Sequence, residues 1–208
     1  MKILIGDDHS VVRKGLIQIL KEAYPFAEIT EAADGIEMFK LALKETYQII
    51  ISDITMPGRF GIDFIKELKL AQSKTPVLIL SIHPAEQYAL RTIKAGASGY
   101  INKESAPEEL ITAVQQLLAG KKYISQDLAD ILFDFRKSNS NKLPHETLSN
   151  REFEVFLLIA SGKSSLEIAN QLSLSANTIS TYKTRLLDKM SLKSIADITR
   201  YAIEYHLV

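Results

Sequence analysis

Ile49-Ile50-Ile51-Ser52-Asp53 is the stretch on which the fold turns. Three branched apolar residues in succession suit a strand buried on both faces, which is the mark of a parallel sheet. The run ends in a carboxylate, and Met56-Pro57-Gly58 follows with turn chemistry. In an open parallel sheet, ligands and chemistry collect at the carboxyl ends of the strands. Asp53 stands at such an end.

Similar units flank it. Lys2 to Ile5 is a short apolar run ending at Gly6-Asp7-Asp8, and Val11, Val12, Leu16, Ile19 and Leu20 then recur at helical spacing. Glu28 to Glu31 reads as a second strand, and Asp34-Gly-Ile-Glu37 as a capping box opening a helix to about Lys44. After the central strand, Gly61 to Leu70 is helical, Pro76 to Leu80 a buried strand, and Glu86 to Ala95 a helix stopped by Gly96. Gly99 to Ile101 is a strand ending near Lys103, and Pro107 to Leu118 a helix with proline in its first turn, closed by Gly120. Strand and helix alternate through five such units, which predicts an α/β, flavodoxin-like, five-stranded parallel domain over residues 1–120. Right-handed crossovers place all the carboxyl ends on one edge. Asp7, Asp8, Asp53, Ser81 and Lys103 therefore converge there.

Close carboxylates repel one another unless a cation joins them, and hard oxygen ligands suit Mg2+. A carboxylate beside such an ion can act as nucleophile toward a phosphoryl group, with Lys103 neutralising a phosphate oxygen and Ser81 donating to another. Taken singly, each residue has a blander reading: Asp7 as a helix cap, Lys103 as a solvated charge, Tyr100 as a half-buried aromatic on an edge strand. The set at the ends of the correct strands carries the chemistry.

The rest of the chain differs. Gly120 to Ser125 is a break, after which Leu128, Ile131, Leu132 and Phe135 line one helical face. Ser138-Asn-Ser-Asn-Lys142 and Pro144 read as a linker, so residues 121–144 form a connection that includes an amphipathic helix of open partner. From Leu148 no strand signal remains. Capping boxes at Ser149-x-x-Glu152 and Ser164-x-x-Glu167, a cap at Ser175, and Ser194-x-x-Asp197 open four helices within residues 145–208. The tight Leu172-Ser-Leu-Ser175 turn fits a helix-turn-helix. On the third of these helices Ile179, Leu186 and Met190 form the core stripe. Asn177, Thr181, Thr184 and Asp188 lie opposite, flanked by Ser180 and Arg185, and such short polar side chains suit base edges in a major groove. Lys183, Arg185, Lys189 and Lys193 can reach phosphates. By composition alone a solvated polar face explains this helix equally well.

The chain has 208 residues, 46% of them apolar, which is enough for two cores. Its formal net charge is zero, so any nucleic-acid contact must be a local patch. Cysteine is absent, excluding disulfides and thiolate metal sites. The opening run is too short for a signal peptide, and no apolar stretch reaches the roughly 18 residues of a spanning helix, so a cytoplasmic location without membrane contact is expected.

Asp7-Asp8-His9-Ser10-Val11-Val12-Arg13-Lys14-Gly15-Leu16 resembles the opening of receiver domains in NarL/FixJ-type response regulators. Asp53-Ile-Thr-Met56-Pro57-Gly58, Ser81-Ile-His83 and Gly99-Tyr100-Ile-Asn-Lys103 match the same family. The resemblance implies that Asp53 accepts a phosphoryl group from a partner histidine kinase. It implies that Mg2+ is held by Asp7, Asp8, Asp53 and the Thr55 backbone carbonyl, and that Ser81 and Tyr100 form a switch pair. Thr55 and His83 occupy positions that tune phosphoryl lifetime in such domains, although His83 reads best as a surface loop residue. Glu104 follows Lys103 where many receivers have proline, which puts the usual cis peptide there in question.

Leu148-Ser-Asn-Arg151-Glu152-Phe-Glu154-Val155, Ile168-Ala169 and Leu174-Ser175-Ala-Asn-Thr178-Ile179 look like a LuxR-type helix-turn-helix domain. Ser180 and Tyr182 depart from the commoner Lys and His, which looks closer to the BvgA/EvgA-type branch. The implied contacts with double-stranded promoter DNA are Asn177, Thr178, Ser180, Thr181, Lys183, Thr184, Arg185 and Lys189. In such domains the last helix often forms the dimer contact, so Ile195, Ile198, Ala202 and Tyr205 are the candidates in a homodimer formed on phosphorylation. The expectation is a DNA-binding transcription regulator and not an enzyme. The competing readings are a Mg2+-dependent phosphohydrolase, which normally places an acid where Thr55 stands, and a phosphate-independent interaction module.

Overall fold

The computed structural model describes residues 1–56, 61–82, 85–125, 129, 143–172, 174–205 and 207–208, with backbone alone at 85–87. The chain forms two compact units, dividing between residues 135 and 136. The expected amphipathic helix of the connection, the Pro57-Gly58 turn, His83 and Ser173 of the tight turn lie outside the described residues.

The first unit alternates β1 (Lys2–Gly6), α1 (Ser10–Ala23), β2 (Glu28–Ala32), α2 (Gly35–Lys44), β3 (Ile49–Asp53), α3 (Gly61–Ala71), β4 (Val77–Ser81), α4 (Ala85–Lys94), β5 (Gly99–Asn102) and α5 (Ala106–Leu118). All strands pair in parallel, in the order β2-β1-β3-β4-β5. The expected flavodoxin-like topology is present, with β1 and β3 adjacent at the point where the strand order reverses. Alternate residues of the central strands serve opposite faces. Ile3, Ile5, Ile49, Ile51, Leu78, Leu80 and Ile101 pack with Leu16 and Leu20 of α1 and with Leu110, Val114 and Leu117 of α5. Leu4, Ile50 and Ile79, on the other face, are equally buried, and α2 and α4 pack against β1 and β5 there. The triple isoleucine of β3 is thus covered on both sides.

Local chemistry sets the helix ends. Asp34 accepts hydrogen bonds from the Ile36 and Glu37 amides, both at 2.8 Å. The Glu37 carboxylate accepts in return from the Ala33 amide, one residue earlier than a standard capping box. Gly96 ends α4 at φ +111°, a left-handed conformation that costs glycine least.

The break after Gly120 does more than connect. Tyr123 forms a parallel bridge with Gly99, its amide donating to the Ser98 carbonyl at 3.0 Å. Its hydroxyl donates to Glu109 at 2.6 Å. A Cβ on Gly99 would lie 3.0 Å from the Tyr123 Cβ, so only glycine lets the returning chain approach this closely. The outer edge of β5 is covered there, which blunts an otherwise open sheet edge.

In the second unit a 3-10 turn (Pro144–Thr147) precedes α6 (Asn150–Ala160), α7 (Ser165–Leu172), α8 (Ala176–Met190) and α9 (Ile195–Glu204). The predicted boxes are in place. Ser149 accepts from the Glu152 amide while its own amide donates to Glu152, and Ser164 with Glu167 does the same. The core gathers Phe153, Phe156, Ile168, Leu172, Ile179, Leu186, Met190, Ile198 and Ala202. Among the described residues no helix is long and apolar enough to cross a membrane.

Candidate functional site

Two places in the molecule carry chemistry. The first lies at the carboxyl edge of the sheet, where β1 and β3 end side by side. Asp53, the last residue of β3, is 1% exposed, and Asp7, just past β1, is 0% exposed. Two carboxylates at such depth require a cation. Lys103 supplies it from the turn after β5, with Nζ 2.7 Å from Asp53 Oδ2 and 2.8 Å from Asp7 Oδ2. Burial alone would lower the Lys103 pKa, but the two carboxylates outweigh it and hold the ammonium above its ordinary value. The Lys103 amide donates to the Ser81 carbonyl at 2.8 Å, which ties the turn to the end of β4. Thr55 holds the other side of Asp53: its amide lies 3.1 Å and its hydroxyl 3.2 Å from Oδ1.

Asp8, exposed, faces the same hollow. Carboxylate oxygens of Asp7, Asp8 and Asp53 and one nitrogen of His9 all lie within 4.8 Å of one another. Oxygen donors at this spacing suit a small hard divalent cation, with the open side left for water or a phosphoryl oxygen. The Arg13 guanidinium donates to the Asp7 carbonyl and pairs with Glu31 at 2.8 Å, so α1 and β2 both steady the loop that carries the acids.

Ser81 and Tyr100 are 0% and 1% exposed. The β4–β5 register pairs Ile79 with Tyr100 and Ser81 with Asn102, which puts Ser81 and Tyr100 on one face of the sheet, two positions apart. Tyr100 is fully buried, so the half-buried edge aromatic is corrected, and α4 packs against β5. No cis peptide occurs among the described residues, the Lys103–Glu104 bond included.

The second place is α8. Ser175 caps it through the Thr178 amide at 3.1 Å. Ile179, Leu186 and Met190 are buried as the spacing predicts, while Asn177, Ser180, Thr181, Thr184 and Arg185 are exposed. Ser180, Thr181 and Thr184 donate their hydroxyl protons to the carbonyls of Ala176, Asn177 and Ser180, at 3.0–3.2 Å. Their lone pairs and the threonine methyl groups are what remain for a partner. Among the described residues Lys183, Arg185 and Asp188 make no ion pair.

Lys189, half-exposed, also has a partner within its own unit. Its Nζ lies 2.7 Å from Glu152 Oε2 on α6, a carboxylate that also completes the Ser149 capping box. The neighbouring Arg151 donates to the Leu172 carbonyl at 3.0 Å, at the end of α7. Adjacent residues of α6 thus hold the last carbonyl of α7 and the far end of α8. Lys189 takes part in that clamp, which sequence periodicity could not reveal because the partner is 37 residues away. Burial alone would raise the Glu152 carboxyl, but hydrogen bonds from Lys189 and Ser149 outweigh it and hold it below its ordinary value. A lowered folded-state pKa adds stability that is fully present above the ordinary carboxylate range and is lost as pH falls from there through the lowered folded-state value. Glu152→Gln is therefore expected to cost about 1 kcal/mol at pH 7, discounted for the half-exposed lysine. The difference from wild type should vanish in acid, as read from urea melts at both pH values.

The dimer candidates on α9 divide. Ile198 and Ala202 are 0% exposed and belong to the unit's own core, so they are corrected to packing residues. Ile195 at 44% and Tyr205 at 37% remain on the surface, and Ile203, absent from the expectation, is 60% exposed. Ile203 lines a shallow hollow with Ala196, Thr199 and Arg200. The ring of Tyr205 stacks on Tyr201 at 4.4 Å, and the Tyr201 hydroxyl meets His145 Nδ1 at 2.9 Å, so part of its apolar face is already used.

Comparison with known proteins follows the same division. Residues 3–115 match the response regulator receiver domain, and residues 146–202 the bacterial regulatory proteins of the luxR family. The oxygen regulatory protein NreC of Staphylococcus epidermidis is 34% identical over 100% of this chain and 99% of its own. RcsB of Salmonella enterica serovar Typhimurium, bound to promoter P1flhDC in the presence of the phosphomimetic BeF3−, superposes with a TM-score of 0.61 at 25% identity, covering 97% of both chains. A structure of two RcsB dimers bound to two parallel DNAs gives 0.61 at 26% identity, again over 97% of both.

Proposed function

The chain belongs to the two-component response regulators that join a receiver domain to a LuxR-type DNA-binding domain, a family of transcription regulators and not of enzymes, and from that premise we propose how its own residues work. Asp53 is the phosphoacceptor. One of its oxygens forms the new P–O bond as the P–N bond of a kinase phosphohistidine breaks, and the donor imidazole leaves. Lys103, now bridging Asp7 and Asp53 at 2.8 and 2.7 Å, turns its ammonium to a phosphoryl oxygen; this bridge is the observation that carries the reading. Asp7, Asp8, Asp53 and the Thr55 carbonyl would hold Mg2+, which when bound spreads the charge developing on the phosphoryl oxygens. Thr55 offers an amide and a hydroxyl to Asp53 and no acid group, which weighs against a dedicated phosphohydrolase. Ser81 then moves toward the phosphoryl group and Tyr100 into the space it leaves, so the added charge is read as a change of surface.

We assign residues 1–120 to the receiver, 121–144 to the connection and 145–208 to the DNA-binding domain. Asn177, Thr178, Ser180, Thr181 and Thr184 of α8 face base edges, and Lys183, Arg185 and Lys189 face phosphates. Ser180 and Tyr182 support kinship with the BvgA/EvgA-type branch. Phosphorylation favours a homodimer, and Ile195, Ile203 and the hollow between Ala196 and Arg200 on α9 are its contact in the DNA-binding domain. Two linked half-site readers bind a palindrome more tightly than one. A promoter reader paired with a histidine kinase works in the cytoplasm.

Gel filtration of the full chain with Mg2+, with and without BeF3−, tests the reading. A shift to dimer with BeF3− is expected, and identical elution would remove phosphorylation from control. Lys183→Ala is expected to weaken binding to every DNA sequence alike and to lower the salt slope by about one. An unchanged slope in filter-binding titrations would remove Lys183 from the phosphate contacts.

A further inference from the structure

His9 is the N-cap residue of α1, a position where side chains normally accept a bond from the first helical amides. Its side chain makes no such bond. Its backbone is held by the amide donating to Asp7 Oδ1 at 2.8 Å and the carbonyl accepting from Arg13 at 3.0 Å. The imidazole turns instead to the acids: Nδ1 lies 2.9 Å from Asp8 Oδ1 and 3.5 Å from Asp7 Oδ1. Around an octahedral ion with bonds of about 2.1 Å, neighbouring donors stand about 3.0 Å apart and opposite ones about 4.2 Å. The 2.9 Å between His9 Nδ1 and Asp8 Oδ1 matches two neighbouring donors, the 3.5 Å to Asp7 Oδ1 falls between the two spacings, and Asp53 joins the set within 4.8 Å.

Resting on the phosphoacceptor reading above, we infer that His9 Nδ1 is a ligand of the divalent cation, making this a mixed nitrogen–oxygen site that takes first-row transition cations such as Mn2+ and Co2+ through a bond it does not make to Mg2+. Mg2+ prefers oxygen and keeps its waters, whereas imidazole binds transition cations with the added strength of a softer donor. As the metal–nitrogen bond forms, the Nδ1 lone pair goes to the ion, any Nδ1 proton passes to water, and Asp8 exchanges its contact with the imidazole for the ion. The purely structural alternative is an imidazole that only steadies Asp8. Its loss would then weaken all cations alike.

The test uses the full chain without a histidine tag. Mg2+, Mn2+ and Co2+ are titrated calorimetrically into the wild type, His9→Ala and Asp8→Asn. His9→Ala is expected to weaken Co2+ and Mn2+ by about tenfold or more while Mg2+ changes by less than about twofold. Electron spin-echo spectra of the Mn2+ form should carry imidazole nitrogen modulation in the wild type and lose it in His9→Ala, which separates His9 from the chain's other three histidines. Equal losses for all three cations, no loss, or a wild-type spectrum without nitrogen modulation would overturn the inference. If the wild type binds Mg2+ and Asp8→Asn does not, the acidic site stands whatever His9 does. If the wild type binds none of the three, the phosphoacceptor reading fails with it.

Discussion

Asp53→Ala is expected to abolish acyl-phosphate labelling by a phosphorylated kinase or by acetyl phosphate. Asp53 is the one carboxylate at the end of the central strand that is held on both sides, by Lys103 at 2.7 Å and by the Thr55 amide at 3.1 Å. A nucleophile must be presented in one orientation, and these bonds fix it. Asp7 meets the same lysine but takes the His9 amide at 2.8 Å on its other oxygen, and Asp8 is exposed. Neither can replace Asp53 without moving its loop. Label retained on Asp53→Ala at a single site, located by mass spectrometry, would refute the assignment. The substitution removes a buried charge, so the fold should persist, and an intact melting transition is the control.

Lys103→Met is expected to lower the stability of the receiver unit by about 3–5 kcal/mol at pH 7, the usual consequence of leaving buried charge without its partner. Its side chain is 9% exposed and serves two carboxylates that water barely reaches. The raised Lys103 pKa means that its contribution is fully present below the ordinary lysine range and is lost only in strong alkali. Mg2+ should restore part of the loss, because binding to the folded state alone shifts the equilibrium toward it. Hydrogen exchange, read separately over β1, β3 and β5 and over α6 to α9, gives the measurement. Faster exchange in the strands and not in the helices is expected. Unchanged protection in the strands would mean that the acids are neutralised in some other way.

Much of this site was legible from the chain alone. Asp7, Asp8, Asp53 and Lys103 each follow a short apolar run, and parallel topology leaves the ends of such runs only one edge on which to gather. The caps at Ser149, Ser164 and Ser175 were legible for a similar reason: the bonds close within three residues. Other features were hidden. Tyr123 looked like a break because its pairing depends on the missing side chain of Gly99. His9 stood in the motif without a role of its own, and only the turn of its imidazole toward Asp8 puts it beside the acids.

On α8 and α9 the division is sharpest. Periodicity named Ile179, Leu186 and Met190 as core because a helix repeats its faces whatever surrounds it. It could not say which polar or apolar residues on the remaining faces were already spoken for. Lys189 pairs with Glu152, and Ile198 and Ala202 belong to their own core, because helices distant in sequence lie against them. Sequence alone determined what recurs along one element: the strands, the helix faces, the caps and the residues at strand ends. The tertiary structure decided what each exposed group is left free to do, since a charge or a methyl group can be used only once and its partner is chosen by packing in space.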